Sequence, residues 1–168
     1  FYPDKIAGSV DHQTDGWKET PYPVYFIDGN HEHFDYLEQE CARVGMKEDG
    51  TYEVRPNLFY VPRGTILDLY GIKIGCMGGA ESIDKAWRLE GSSWFKQESV
   101  TQSDIDKLWG KTVDILVTHS PPSSVIRRNF PPLNKLYWQL PLDWVDTSSE
   151  MIEELWSSMG RPRMFCGH

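Results

Sequence analysis

The 168-residue sequence contains no apolar run long enough to cross a bilayer and no signal-peptide pattern. No membrane partner is therefore expected, and the location expected is cytoplasmic. Its three cysteines, Cys41, Cys76 and Cys166, show no CxxC spacing. That excludes a paired-cysteine zinc motif and leaves them as small buried hydrophobes in a reducing compartment. Positive charge is also scarce: 17 Lys and Arg stand against 25 Asp and Glu, a net charge of -8. Such a balance gives no electrostatic footprint for general nucleic-acid binding. It does not exclude a phosphate substrate, because metal ions bound in a site change the local sign. Internal repeats and low-complexity segments are absent too. What remains is the composition of one globular domain over residues 1–168, with 39% hydrophobic residues and a high aromatic share of 13% that includes seven Trp. So many rings imply a well-filled core or an aromatic-lined cleft.

Residues 1–22 are rich in Gly, Asp, Thr and Pro and read as an irregular approach. Val24–Ile27 is a short apolar run suited to a strand covered on both faces. From His33 to Val44, Phe34, Leu37, Cys41 and Val44 fall on one stripe at helical spacing, and Gly45 is the natural stop. Strands are predicted at Leu58–Val61, Thr65–Tyr70, Ile72–Met77, Val113–Val117 and Met164–Cys166, and helices at Ser103–Trp109, capped by Ser103, and Ser149–Ser158. Residues 120–147 form a long, Pro-punctuated, aromatic connection, the kind that often serves as a lid or binding loop. Strands alternating with helices predict an α/β (α+β) fold with layered sheets, where ligands gather beyond the carboxyl ends of strands.

Three predicted strands end alike. VYFI runs into Asp28-Gly29-Asn30-His31-Glu32, DILV into Thr118-His119-Ser120, and RMF into Cys166-Gly167-His168. If the strands lie side by side, Asn30 or His31, His119 and His168 converge on one sheet edge. An amide oxygen with imidazole nitrogens suits Mn, Fe or Zn. Each residue alone has a plainer reading: Asn30 as a helix cap, His119 as a hydrogen-bonded core histidine, His168 as nothing in particular. Their shared placement favours the metal reading.

With Gly29-Asn30-His31-Glu32, Thr118-His119 and Gly167-His168 in this order, the chain resembles the calcineurin-like metallophosphoesterases. The segment Gly78–Phe95 (GGAESIDKAWRLEGSSWF) and the THSPP run resemble a phage and bacterial subgroup. The resemblance implies a layered metallophosphoesterase-type sandwich, mixed β-sheets flanked by helices. It implies hydrolysis of phosphate mono- or diesters by a hydroxide activated between two divalent ions, Mn, Fe or Zn. Asn30, His119 and His168 would bind one ion, and His31 would protonate the leaving oxygen or stabilise the phosphoryl charge. His31 near a helix start would need a carboxylate neighbour, or the substrate phosphate, to keep its proton. Small molecules, nucleotides and phosphoproteins all remain open as substrates, nucleic acid is possible but not indicated, and nothing points to an oligomeric state.

The resemblance also calls for an Asp-x-His and a Gly-Asp motif ahead of these, and neither is found. Asp11-His12 lacks the spacer and reads as a surface loop. The expectation is thus an internal fragment, incomplete at both ends, lacking N-terminal strands and the end of the last motif and retaining ligands for about one ion. Alternatives are a non-catalytic metal-binding or scaffold domain and a single-zinc hydrolase. Arg88 is a candidate for a substrate phosphate, or else pairs with Asp84 at i,i+4 on a helix. Arg127-Arg128 is a lid pair or a solvated one, His33 an exposed first-turn residue, and Trp87, Trp94 and Phe95 wall the cleft or simply pack.

Overall fold

The computed structural model describes residues 20–168. The candidate Asp11-His12 and most of the irregular approach lie outside the described residues.

In chain order the elements are β1 (Val24–Phe26), α1 (Phe34–Val44), β2 (Tyr52–Arg55), β3 (Leu58–Tyr60), β4 (Thr65–Leu69), β5 (Ile72–Met77), α2 (Gln102–Leu108), β6 (Ile115–Thr118), α3 (Ser123–Asn129), α4 (Thr147–Ser158) and β7 (Arg163–Cys166). Short 3₁₀ turns at Lys85–Trp87 and Lys96–Glu98 punctuate the stretch after β5. The strands form two mixed sheets, one of three strands in the order β1-β3-β2 and one of four in the order β4-β5-β6-β7. In the larger sheet β5, β6 and β7 run parallel, while β4 returns antiparallel on β5. In the smaller, β1 is parallel to β3 and β2 antiparallel to it.

Side-chain alternation explains the layers. Along β1, Val24 and Phe26 join Leu37, Val54 and Leu58 under α1, whereas Tyr25 and Ile27 turn to Val61, Leu67 and Cys76 between the sheets. The strand is therefore covered on both faces, as its unbroken apolar run requires. On β5, Ile74 and Cys76 face the inter-sheet cluster, while Met77 points the other way into a core shared with Leu116 of β6, Ile105 and Leu108 of α2, and Ile152 and Leu155 of α4. The result is an α/β sandwich: α1, the small sheet, the large sheet, then α2 and α4.

Several boundaries differ from those expected. Thr101, not Ser103, caps α2: its side chain accepts the Asp104 N–H while Asp104 accepts the Thr101 N–H. Helix α4 begins at Thr147 because Asp146 caps it through the Ser149 N–H. Strand β6 starts only at Ile115, since Asp114 spends its carboxylate on the Lys73 N–H. Strand β2 and helix α3 were not anticipated. In β2, Val54 is fully buried between half-buried Glu53 and Arg55, a pattern too short to stand out in the sequence. Cys76 is buried as expected, but Cys166 is exposed. Among the described residues no helix is long and apolar enough to cross a membrane.

Leu116 is fully buried where both helices meet β6. Leu116→Ala should cost about 2–5 kcal/mol, read as a lower urea midpoint with an unchanged slope.

Candidate functional site

The parallel register of the large sheet sets the stage. Met77 pairs with Thr118, and Thr118 with Cys166, so three carboxyl ends stand abreast. His119 follows β6 directly, and its backbone is pinned from both neighbours. Its N–H donates to the Met77 carbonyl at 3.1 Å, and its carbonyl accepts the Gly167 N–H at 3.2 Å. The Thr118 hydroxyl donates to the Ser120 carbonyl at 2.7 Å and holds the turn closed.

Strand β1 does not lie beside these ends. It belongs to the small sheet, and its Asp28-Gly29-Asn30 turn reaches the site across the gap between sheets. The bridge is the Gly79 N–H, which donates to the Asp28 carbonyl at 3.0 Å. Convergence is thus real but comes from two sheets rather than one edge.

The buried Asp28 carboxylate anchors this crossing. Arg63 donates to Asp28 Oδ2 from Nε at 2.8 Å and Nη2 at 2.6 Å, and the Tyr60 hydroxyl donates to Oδ1 at 2.9 Å. Burial and the adjacent Asp28 carboxylate push the Tyr60 hydroxyl pKa well up, so it stays a donor. Arg63 also donates to the carbonyls of Ser99 and Gln97, tying the turn to the segment before α2. Close approach makes small residues necessary here. A Cβ on Gly78 would sit 2.3 Å from Asp28 Oδ1, and one on Gly29 would sit 2.8 Å from the His119 ring.

Asn30 is 4% exposed, and both ends of its amide are engaged. Nδ2 donates to Ser82 Oγ at 2.9 Å, which turns Oδ1 toward His119 Nε2 at 3.1 Å. His168 Nδ1 lies 3.3 Å from the same nitrogen. Burial, reinforced by the nearby His168, pushes the His119 pKa down to about 4. Desolvation by its neighbours also lowers that of His168, although the residue is exposed, against the pull of Asp146. Both imidazoles are therefore neutral near pH 7, with lone pairs free for ligation.

The spacing of these atoms matches that of ligands to one metal ion. Donors about 2.0–2.1 Å from a shared ion stand roughly 2.9–3.4 Å apart in octahedral or tetrahedral arrangements. The separations of 3.1 and 3.3 Å lie in that interval. An amide oxygen and two neutral imidazoles also crowd lone pairs that one N–H cannot satisfy together. The set fits a divalent cation. Among the described residues no group of three His, Cys, Asp or Glu side chains is gathered for a metal, so the candidate centre depends on the Asn30 amide.

A model of the calcineurin-like phosphoesterase family matches residues 3–155. The chain belongs to the calcineurin-like phosphoesterases. These are hydrolases acting on phosphate esters. Asn30, His31, Arg88 and His119 lie within the matched span of this phosphoesterase, and His168 lies beyond it. No curated protein and no solved structure matches the chain.

The remaining candidates fall around this centre. His31 is exposed, with Nε2 3.7 Å from Asp84 Oδ2, so a carboxylate neighbour is in place. Arg88 is drawn back behind Asn30. Its Nη2 donates to Glu98 Oε1 at 2.7 Å and to the Asn30 carbonyl at 3.3 Å, while Nη1 donates to Glu98 Oε2 and Ser82 Oγ, each at 2.9 Å. The Asp84 contact is present at 3.4 Å, but on a 3₁₀ turn rather than an α-helix. His33 caps α1, its Nδ1 accepting the Tyr36 N–H, and it lies against Phe95. Arg127 pairs with Glu150 on the surface. Trp94 and Phe95 are buried and pack, whereas Trp87 faces the cleft.

Sequence reading missed three functional neighbours: Glu98, Arg63 and Trp138. Glu98 is fully buried yet charged-residue in type, and nothing in its local pattern marks it. Trp138 lines the cleft from the long connection, whose richness in aromatic residues was the available signal.

Breaking the anchor while leaving its partner buried is costly. Asp28→Ala should destabilise the protein by about 3–5 kcal/mol, measured by denaturant unfolding, whereas exposed Asp143→Ala should stay within about 0.5 kcal/mol.

Proposed function

We propose that this phosphoesterase hydrolyses phosphate mono- or diesters at the cleft above the large sheet, with Asn30, His119 and His168 holding a divalent ion of the Mn, Fe or Zn type. The observation that carries this reading is the meeting of Asn30 Oδ1, His119 Nε2 and His168 Nδ1 at 3.1 and 3.3 Å on the wall of a cleft of about 770 Å³. When bound, such an ion supplies Lewis-acid polarisation of the phosphoryl group and activates water near neutral pH.

The chain's own residues supply the rest. His31, exposed at the cleft rim with Nε2 3.7 Å from Asp84 Oδ2, donates a proton to the departing oxygen. Arg88, held by fully buried Glu98, fixes Ser82 and through it the Asn30 amide, so its part is to orient a ligand. Asp28 and Arg63 hold the turn that carries Asn30 and His31. The second ion of the family scheme has no separate ligand set among the described residues, where Asp28 is already engaged by Arg63 and Tyr60.

Turnover of an aryl phosphate with Mn²⁺, paired with calorimetric Mn²⁺ titration, tests the assignment. Asn30→Ala and His119→Ala should each weaken Mn²⁺ by more than the roughly 10–100-fold seen for outer-shell losses. His31→Ala should lower kcat by about 10²–10⁴-fold with Mn²⁺ affinity retained. Mn²⁺ binding without turnover above the His119→Ala control would instead establish a non-catalytic metal-binding domain.

A further inference from the structure

The lining of the cleft is of two unlike kinds. Besides the donors Asn30, His119 and His168 it includes Trp87 and Trp138, brought together from opposite sides of β6 in sequence. Their ring centroids are 5.0 Å apart at 39°. Tyr137 closes the cluster edge-on, at 87° to Trp87 and 89° to Trp138. Trp87 is nonetheless 49% exposed. Its position is fixed by the 3₁₀ turn Lys85–Trp87, which directly follows Asp84, the partner of His31.

Trp138 rides on a connection that braces itself. The Trp138 N–H donates to the Asn134 carbonyl at 3.2 Å, and the Tyr137 N–H donates to Asn134 Oδ1 at 3.1 Å. Lys135 Nζ donates to the carbonyls of Leu142 and Trp144, each at 2.7 Å. This bracing holds the half-buried Trp138 at the cleft.

Charge narrows the occupant further. The described residues that line the cleft include no Lys or Arg, and Asp84 adds a carboxylate. The cations next to the lining residues Asp84 and Trp87 in sequence are committed elsewhere: Lys85 lies over the Trp94 ring at 3.9 Å, and Arg88 pairs with Glu98. A polyphosphate would find no side-chain cation there, whereas a flat ring would find two indoles. The volume of about 770 Å³ suits a small molecule.

We infer that Trp87 and Trp138 form a stacking wall that selects small monophosphate esters bearing a planar aromatic group, an aryl phosphate or a nucleoside monophosphate, over alkyl and polyphosphate esters. The inference rests on the hydrolase reading of the same cleft. A ring stacked on the indoles leaves the phosphate beside His31 and the donor set, so the wall contributes binding and orientation and takes no part in proton transfer.

The test compares 1-naphthyl phosphate, AMP, ribose 5-phosphate and ATP as substrates. Calorimetric binding of 1-naphthylphosphonate and methylphosphonate, which cannot be hydrolysed, runs alongside. Trp87→Ala and Trp138→Ala should lower kcat/KM for 1-naphthyl phosphate roughly 5–100-fold relative to ribose 5-phosphate, the range of a lost stacking contact. Trp87→Phe and Trp138→Phe should restore most of that ratio. AMP sharing the loss identifies nucleoside monophosphates as accepted, and AMP following ribose 5-phosphate confines the wall to aryl esters. Naphthylphosphonate binding that needs both indoles supports the wall even without turnover, in which case only the hydrolase reading fails. An unchanged naphthyl-to-ribose ratio in both alanine variants, or ATP preferred over AMP, overturns the inference.

Discussion

The site depends on one buried ion pair. Asp28 has no exposed surface and is met by Arg63 through Nε and Nη2 and by the Tyr60 hydroxyl. Removing two charges from water costs several kcal/mol per ion, and the attraction repays this only when the remaining hydrogen-bonding capacity is also used. Here it is. Both carboxylate oxygens accept, and the guanidinium spends its other N–H groups on the carbonyls of Ser99 and Gln97. The pair is thus weak as a source of stability but strong as a register mark. It fixes where the turn after β1, the β3–β4 connection and the segment before α2 meet. Because β1 sits in the small sheet and His119 on the large one, the Asn30–His119 approach follows from this junction rather than from strand pairing.

A second buried pair repeats the arrangement one layer closer to the cleft. Glu98, also without exposed surface, is bridged to Asn30 through Arg88 and Ser82. An amide ligand has two ends of similar shape, and only one carries the lone pairs a cation needs. Engaging Nδ2 with Ser82 leaves Oδ1 toward His119. Arg88 thus contributes to the centre from behind it. Of the two expectations for Arg88, a hold on a substrate phosphate or a pair with Asp84, the pair is present at 3.4 Å, and the buried Glu98 carboxylate draws the guanidinium further back. Left alone, the carboxylate charge would be far costlier than any exposed pair.

What could be read from the sequence was local and periodic. The α1 stripe, the Gly45 stop and the polar ends of β1, β6 and β7 each follow from a few neighbouring residues, and the structure places them as expected. Pairing of strands into two sheets is set by contacts distant in sequence, so the prediction that three strand ends share one edge failed for β1. The partners of Asp28 lie 32 and 35 positions away, and Glu98 reaches Arg88 across 10. No short-range pattern encodes such distances. Capping was legible in kind but not in place. Both Thr101 and Ser103 are cap-forming residues, and only the reciprocal bond with Asp104 decides between them.

The same limit applies to the aromatic wall. Seven Trp in 168 residues announce that rings matter, but not which ones face solvent. Trp94 lies beneath Lys85 and is buried, whereas Trp87, seven residues earlier, is half exposed beside the candidate metal ligands. The difference comes from the 3₁₀ turn that turns Trp87 outward and from a braced connection that brings Trp138 to it. With Arg88 held by Glu98 and Lys85 over Trp94, the described lining of the cleft carries no side-chain cation with which to discriminate among phosphates. On the proposed reading, discrimination comes from the part of the ester that is not phosphate. Two indoles set against a polar wall are the available means: the polar wall meets the group common to all phosphate esters, and the rings meet what distinguishes one from another.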